Sequence, residues 1–147
     1  MRKIAKIAAG ALLLAATAGP AFAQGQVHKL AIHVDQNDAG VMNLALNNAQ
    51  NVKAFYESEG DTVEIEIVAY GPGLNMYVEG KSPVKDRISV MSLESPEITF
   101  SACGNTHAKM SKKAGKDIVL ISEAKMTKSG VVRLMELQSQ GYAYLRP

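Results

Sequence analysis

The chain carries one cysteine, Cys103, in 147 residues. A single thiol closes no internal disulfide and forms no C-x-x-C pair, which speaks against thioredoxin-type exchange. The three histidines, His28, His33 and His107, show no metal-ligand spacing among themselves or with Cys103, so no metal site is read from them. No G-x-S-x-G elbow is present, and the Gly71-Pro72-Gly73 break lacks the Gly-Lys-Ser/Thr ending of a phosphate loop. These absences argue against a serine hydrolase and a nucleotide site. Internal repeats, low-complexity tracts and linkers are missing too, and after residue 23 no apolar run is long enough to cross a bilayer.

What is present at the start reads as an export signal. Met1 to Lys6 is basic, Ile7 to Ala18 is apolar but short of a membrane span, and Ala21-Phe22-Ala23 is an A-x-A cleavage signal. The expectation is a signal peptide over 1–23, cleaved after Ala23, leaving 124 residues (147 − 23) in the periplasm. Without a cysteine after the cleavage site or adjacent arginines, the general secretory route is favoured over lipoprotein or twin-arginine export. Removing Arg2, Lys3 and Lys6 lowers the Lys and Arg count from 16 to 13 against 14 acids, a net charge of −1. That balance gives no support for a nucleic-acid partner. A mature chain of this size makes one domain, 24–147.

Within it, His28 to Val34 reads as a first strand, with Leu30, Ile32 and Val34 on one face and Ala31 on the other. Asp35 to Asp38 is a polar loop whose Asn37 or Asp38 can cap the next helix. That helix runs from Val41 to Glu59, with a stripe of Val41, Leu44, Ala45, Val52 and Phe55, and Gly60 ends it. Asn47, Asn48 and Asn51 are poor helix formers within it; a subunit contact or a polar wall of the site would account for them. Thr62 to Tyr70 alternates Val63, Ile65 and Ile67 with Glu64 and Glu66, the pattern of a half-exposed strand at a sheet edge. Leu74 to Val78 is a short helical turn or a flap, and Ser82-Pro83 opens a helix with Val84, Ile88 and Met91 buried.

The stretch Ile98 to Cys103 is an apolar strand ending in the cysteine, and a helix follows from about Thr106 to Ala114. Gly104 allows a tight turn, and Asn105 or Thr106 can cap that helix. Lys109, Lys112, Lys113 and Lys116 read as a solvated face. Asp117 to Ser122 fits either strand or buried helical turn, and Glu123 to Thr127 is the competing strand. Val131, Leu134, Met135 and Gln138 share a face of the last helix, which Gly141 stops, and Tyr142 to Leu145 makes a final strand. Strands alternating with helices predict an α/β layer fold with a mainly parallel sheet.

In such a sheet ligands sit beyond the carboxyl ends of the strands, near a topological switch point. Asp35 to Asp38, Gly71 to Gly73 and Cys103 to Thr106 all follow strands and gather on that rim. A thiol against a helix N-terminus feels the positive end of the macrodipole, which favours the thiolate. By composition alone a lone cysteine is a buried inert side chain, an inter-chain pair or a reactive thiol. His107, four residues on, is a proton partner for the thiol or a solvent-exposed histidine. His33 with Asp35 is a weak pair, more often structural.

Several motifs together resemble the DsrE/DsrF-like family of sulfur-relay (TusBCD-type) proteins. They are His33-Val34, Ala45-Leu46-Asn47-Asn48 with Asn51, Gly71-Pro72-Gly73, Ala102-Cys103-Gly104-Asn105-Thr106, and Ser129-Gly130-Val131-Val132 through Gly141-Tyr142-Ala143-Tyr144. The resemblance covers nearly all of the chain after the signal. It implies a flavodoxin-like three-layer sandwich on a five-stranded sheet and assembly as a homotrimer or homohexamer. It also implies Cys103 as the residue that accepts sulfane sulfur as a persulfide and passes it to the next protein, with a sulfur donor or acceptor protein or a small sulfur compound as partner. It favours Glu123 to Thr127 as the fourth strand and Asp117 to Ile121 as a helical turn. The expected site is then Cys103, supported by Gly104, Asn105, Thr106, His107, His33, Asp35, Asn48, Gly71 and Gly73, with no metal and no cofactor. The alternative is a non-enzymatic oligomeric module that binds a small ligand, in which Cys103 is structural.

Overall fold

The computed structural model describes residues 25–147. The expected signal segment and its cleavage after Ala23 lie outside the described residues. Strands and helices alternate: β1 (Val27–Val34), α1 (Ala39–Ser58), β2 (Thr62–Ala69), a 3-10 helix (Gly71–Tyr77), α2 (Lys85–Glu94), β3 (Ile98–Cys103), α3 (Gly104–Ala114), β4 (Ala124–Thr127), α4 (Gly130–Ser139) and β5 (Ala143–Leu145). The strands form one five-stranded sheet in the order β4-β3-β2-β1-β5, every pairing parallel.

That order decides the layers. From β1 to β4 each crossover steps the same way, so right-handed connections place α1, α2 and α3 on one face. The step from β4 back past β1 to β5 runs the other way and puts α4 on the opposite face. The buried side chains divide accordingly. Ile32, Val34, Ile65, Ile67 and Phe100 meet Met42, Leu46 and Ile88 in the larger core. Ala31 and Val68 meet Leu134 and Leu137 in a smaller core under α4. This is an α/β fold of flavodoxin-like type. No described helix is long and apolar enough to cross a membrane.

Several expectations are corrected. β2 is the central strand, not an edge. Its alternation arises because the Glu64/Glu66 side faces α4, where Glu66 is only 6% exposed and forms a bidentate pair with Arg133 at 2.7 and 2.8 Å. In α1 the buried stripe is Met42, Ala45, Leu46 and Ala49, whereas Leu44 and Phe55 are 45% and 60% exposed. The cap of α1 is as expected: the Asp38 carboxylate accepts from Val41 N at 2.9 Å. α2 begins two residues after Pro83, with Val84 at its N-cap. Residues 117–122 form neither strand nor helical turn; their one ladder contact is an antiparallel bridge between Leu120 and Val78. In α4 Leu134 and Leu137 turn inward, leaving Val131 and Met135 exposed.

Of the asparagines singled out in α1, Asn47 answers to an internal partner. The Arg87 guanidinium of α2 donates to the side-chain oxygens of Asn43, Asn47 and Gln50, so this polar face ties α1 to α2. The strand-to-helix junctions are tightened by glycine at one place above all. Gly73 packs against the end of β1 so closely that a Cβ there would lie 2.3 Å from the Val34 carbonyl oxygen.

Candidate functional site

Cys103 is the last residue of β3 and the N-cap of α3, so the helix starts at Gly104, two residues earlier than expected. Neither Asn105 nor Thr106 is the cap; they are the second and third residues of the helix, where N–H groups are free of helical partners. Gly104 is not needed for a left-handed turn, since its φ is not positive. It is needed for space: a Cβ would meet the Thr127 carbonyl at 3.0 Å and the Met126 sulfur at 3.5 Å.

A second helix reaches the same sulfur. Gly130, the first residue of α4, brings its backbone so near that an added Cβ would lie 3.1 Å from Cys103 Cβ and 3.0 Å from Tyr70 Cβ. The thiol therefore sits where the N-termini of α3 and α4 converge, and both macrodipoles favour negative charge there. As a neutral thiol, Cys103 closes no conventional side-chain cap hydrogen bond. The Thr106 hydroxyl and the backbone N–H groups of Gly130 and Thr106 lie on the side that favours the thiolate, with a smaller contribution from the Asn105 N–H, which also donates to the Lys128 carbonyl at 3.3 Å. The Thr106 hydroxyl is set for this, because its oxygen already accepts from Gly71 N at 3.0 Å and its own hydrogen is left to point at the sulfur.

Burial is the largest single influence on this thiol and pushes its pKa up, since Cys103 is only 4% exposed. The hydroxyl and the three amides together outweigh it, and the net result is a thiol held below its ordinary value of 9.0. A depressed acid pKa has a defined sign for stability. The thiolate's contribution is fully present above 9.0 and is lost as pH falls through the lowered value.

Tyr70 links Cys103 to a second cluster at the carboxyl ends of β1 and β5. The His33 ring stacks on Tyr70 at 4.5 Å, and His33 Nδ1 is hydrogen-bonded to the Tyr144 hydroxyl at 2.7 Å. Asp35 lies 3.9 Å from His33 Nε2, beyond hydrogen-bond range, and pairs with Arg146 at 2.9 Å. His33 is 5% exposed, and its Nε2 has no partner among the described residues. Burial lowers its pKa below 6.5, more than the Asp35 charge restores, and Arg146 adds to the lowering. The imidazole is thus neutral at pH 7. The stability this carries is complete above 6.5 and is lost as pH falls towards the lowered value.

The rim accordingly brings together Cys103, Gly104, Asn105, Thr106 and Gly71. His33 and Asp35 form a neighbouring layer behind Tyr70, and Gly73 supports the loop from below. Two predicted residues are elsewhere. His107 Nε2 is hydrogen-bonded to the Ile118 carbonyl at 2.6 Å, tying α3 to the segment after it, so it is no proton partner for the thiol. Asn48 lies nine residues into α1, half-buried and about 14 Å along the helix from the rim. Sequence reasoning missed Gly130, Tyr70, Tyr144 and Arg146 as site residues. The signal available was the Ser129-Gly130 junction, where a glycine opening a helix after a strand marks a close approach.

Depressions flank the thiol on both sides. One of about 400 Å³ is lined by Asn105, Lys128, Ser129 and Arg133. The other, about 530 Å³, lies between α3 and the 3-10 helix. Among the described residues no group of three or more His, Cys, Asp and Glu is placed to hold a metal ion.

The geometry defines an all-parallel α/β domain with a thiol at the carboxyl rim of its sheet. No family model and no curated protein matches the chain. Among solved structures it is similar to the protein of unknown function MTH1491 from Methanobacterium thermoautotrophicum. The identity is 29% and the TM-score 0.69, and the match covers 82% of this chain and 99% of that one. The likeness extends to the five-stranded α/β architecture.

Proposed function

We propose that this protein is a sulfur carrier in which Cys103 alternates between thiolate and persulfide. The observation that carries this reading is the convergence of the α3 and α4 N-termini on one sulfur, with the Thr106 hydroxyl beside it. The thiolate attacks the outer sulfur of a sulfane-sulfur donor R–S–SH. The Sγ–S bond forms as the donor's S–S bond breaks, R–S⁻ leaves, and Cys103 is left as Cys–S–SH. Charge and electrons balance without an outside oxidant. The site's donors then stabilise the persulfide anion after it loses its proton, and a thiolate acceptor takes the sulfur by the reverse step.

The same reading includes export to the periplasm and self-association as a trimer or hexamer. Self-association is supported by exposed apolar side chains on neighbouring elements, Val131 and Met135 on α4 and Met126 on the open edge strand β4. The low exposure of Cys103 favours the alternative, a binding module in which the thiol is structural. Alkylation rates across pH separate the two. A carrier thiol should react with iodoacetamide with a midpoint below 9.0. An unreactive thiol, or one titrating at or above that value, would leave the structural reading.

A further inference from the structure

The groove between α3 and the 3-10 helix adjoins Cys103 through two of its own walls. Thr106, whose hydroxyl serves the sulfur, lines it, and so does Tyr70, which meets Cys103 and Gly130 at the rim. Its floor is apolar: Pro72, Met110 and the Tyr70 ring. Its charge is of one sign. Lys109 and Lys113 stand one helical turn apart on the wall, and no acidic residue lines it. Neither lysine has a carboxylate within 4.0 Å among the described residues, whereas Lys29, Lys53, Lys85, Arg133 and Arg146 all do. The nearby Asp117 is engaged by the Ser111 hydroxyl at 3.2 Å. Asn75 also lines the groove, but its Oδ1 is closed off from it and has no donor among the described residues, while its amide nitrogen donates to the Pro72 carbonyl at 3.3 Å.

We propose that this groove binds a small carboxylate-bearing thiol or its persulfide, with the carboxylate on Lys109 and Lys113. Its carbon chain lies on Met110 and Tyr70, and its sulfur reaches Cys103 past Thr106. Of the four lysines expected to form a solvated face, Lys109, Lys112, Lys113 and Lys116, the groove gives two a ligand. Lys112 and Lys116 do not line the groove. The inference rests on the carrier reading for the purpose of the site, but its binding test does not require sulfur transfer.

The test uses N-acetylcysteine, which carries the carboxylate, an N–H and a thiol, against N-acetylcysteinamide, which lacks only the charge. Each is titrated into Cys103→Ser protein, and into native protein under reducing conditions, while backbone amide resonances are followed by NMR. The acid should shift Gly71, Asn75, Thr106 and Met110. Replacing both lysines, Lys109→Gln with Lys113→Gln, should weaken it about fivefold to tenfold, and the neutral amide should bind more weakly by a similar factor. Equal binding of acid and amide, or no effect of the double substitution, would overturn the groove assignment. Intact-mass measurement of sulfur loading on native protein keeps the two readings apart. Binding without loading removes the carrier and leaves the groove, and loading without binding does the reverse.

Discussion

Gly130→Ala should slow alkylation of Cys103 at neutral pH by about tenfold or more and move its midpoint up towards 9.0. The reason is steric and local. An alanine Cβ would stand 3.1 Å from Cys103 Cβ and 3.0 Å from Tyr70 Cβ, tighter than most such contacts, so the start of α4 and the thiol must move apart by a few tenths of an ångström. The Gly130 N–H then holds the thiolate less well, out of a hydrogen bond to a charged group that is worth about 1.5–3 kcal/mol in full. Alanine itself suits the position, because Gly130 does not use a left-handed conformation and alanine is the better helix former. Global stability should therefore change little while reactivity falls. Circular dichroism alongside iodoacetamide kinetics checks both halves. A variant with an unchanged pH–rate curve would take the α4 N-terminus out of the thiol's environment.

The largest loss of stability is expected at Arg133→Ala, about 3–5 kcal/mol by urea denaturation at pH 7. Arg133 is the bidentate partner of Glu66, which lies on the central strand under α4, and the Ser101 hydroxyl donates to the same carboxylate at 2.6 Å. Burial pushes the Glu66 pKa up, but Arg133 and Ser101 together hold it below 4.5. Without Arg133 that balance inverts, and the carboxylate is left buried and charged or takes up a proton. The deficit should shrink on acidification, because a protonated Glu66 no longer needs the guanidinium. Replacing both partners with apolar residues, Glu66→Leu with Arg133→Met, should recover most of the loss. If the double variant is as unstable as the single one, the charge left unpaired is not the cause.

Much of the fold was legible because apolar periodicity survives in short elements. The strands at His28–Val34 and Ile98–Cys103, the Asp38 cap and the final strand all follow from local pattern. Glu66 shows where such reading stops. Alternation reports that one face of β2 is polar, but an edge strand open to water and a central strand facing an arginine write the same letters. Only the return crossover through α4, which brings Arg133 back across 67 positions, distinguishes them. Leu44 and Phe55 mislead in a similar way, since a hydrophobic residue on a helix need not face the core.

The site was half legible. Cys103 at a strand end before a helix is a local feature, and so are the amides of Asn105 and Thr106. His107 was drawn in by its four-residue spacing, but that rule needs both residues inside the helix. Cys103 is the N-cap, with extended backbone at φ −70° and ψ 114°, so the His107 ring turns to Ile118 instead. Gly130, Tyr70 and Tyr144 come from other strand ends, and no spacing along the chain connects them to the thiol. Even the expected switch point needed the sheet order. It falls between β3 and β4, whose following helices α3 and α4 leave on opposite faces, so Cys103 stands at it and His33 two strands away on the same rim.

The central claim is that Cys103 accepts sulfane sulfur. Intact-mass spectrometry of the purified protein, before and after incubation with a sulfane-sulfur donor such as a low-molecular-weight persulfide, tests it most directly. The account predicts a gain of one sulfur atom, removed by a reductant and absent from Cys103→Ser. An unchanged native mass, or the same gain in Cys103→Ser, would contradict it.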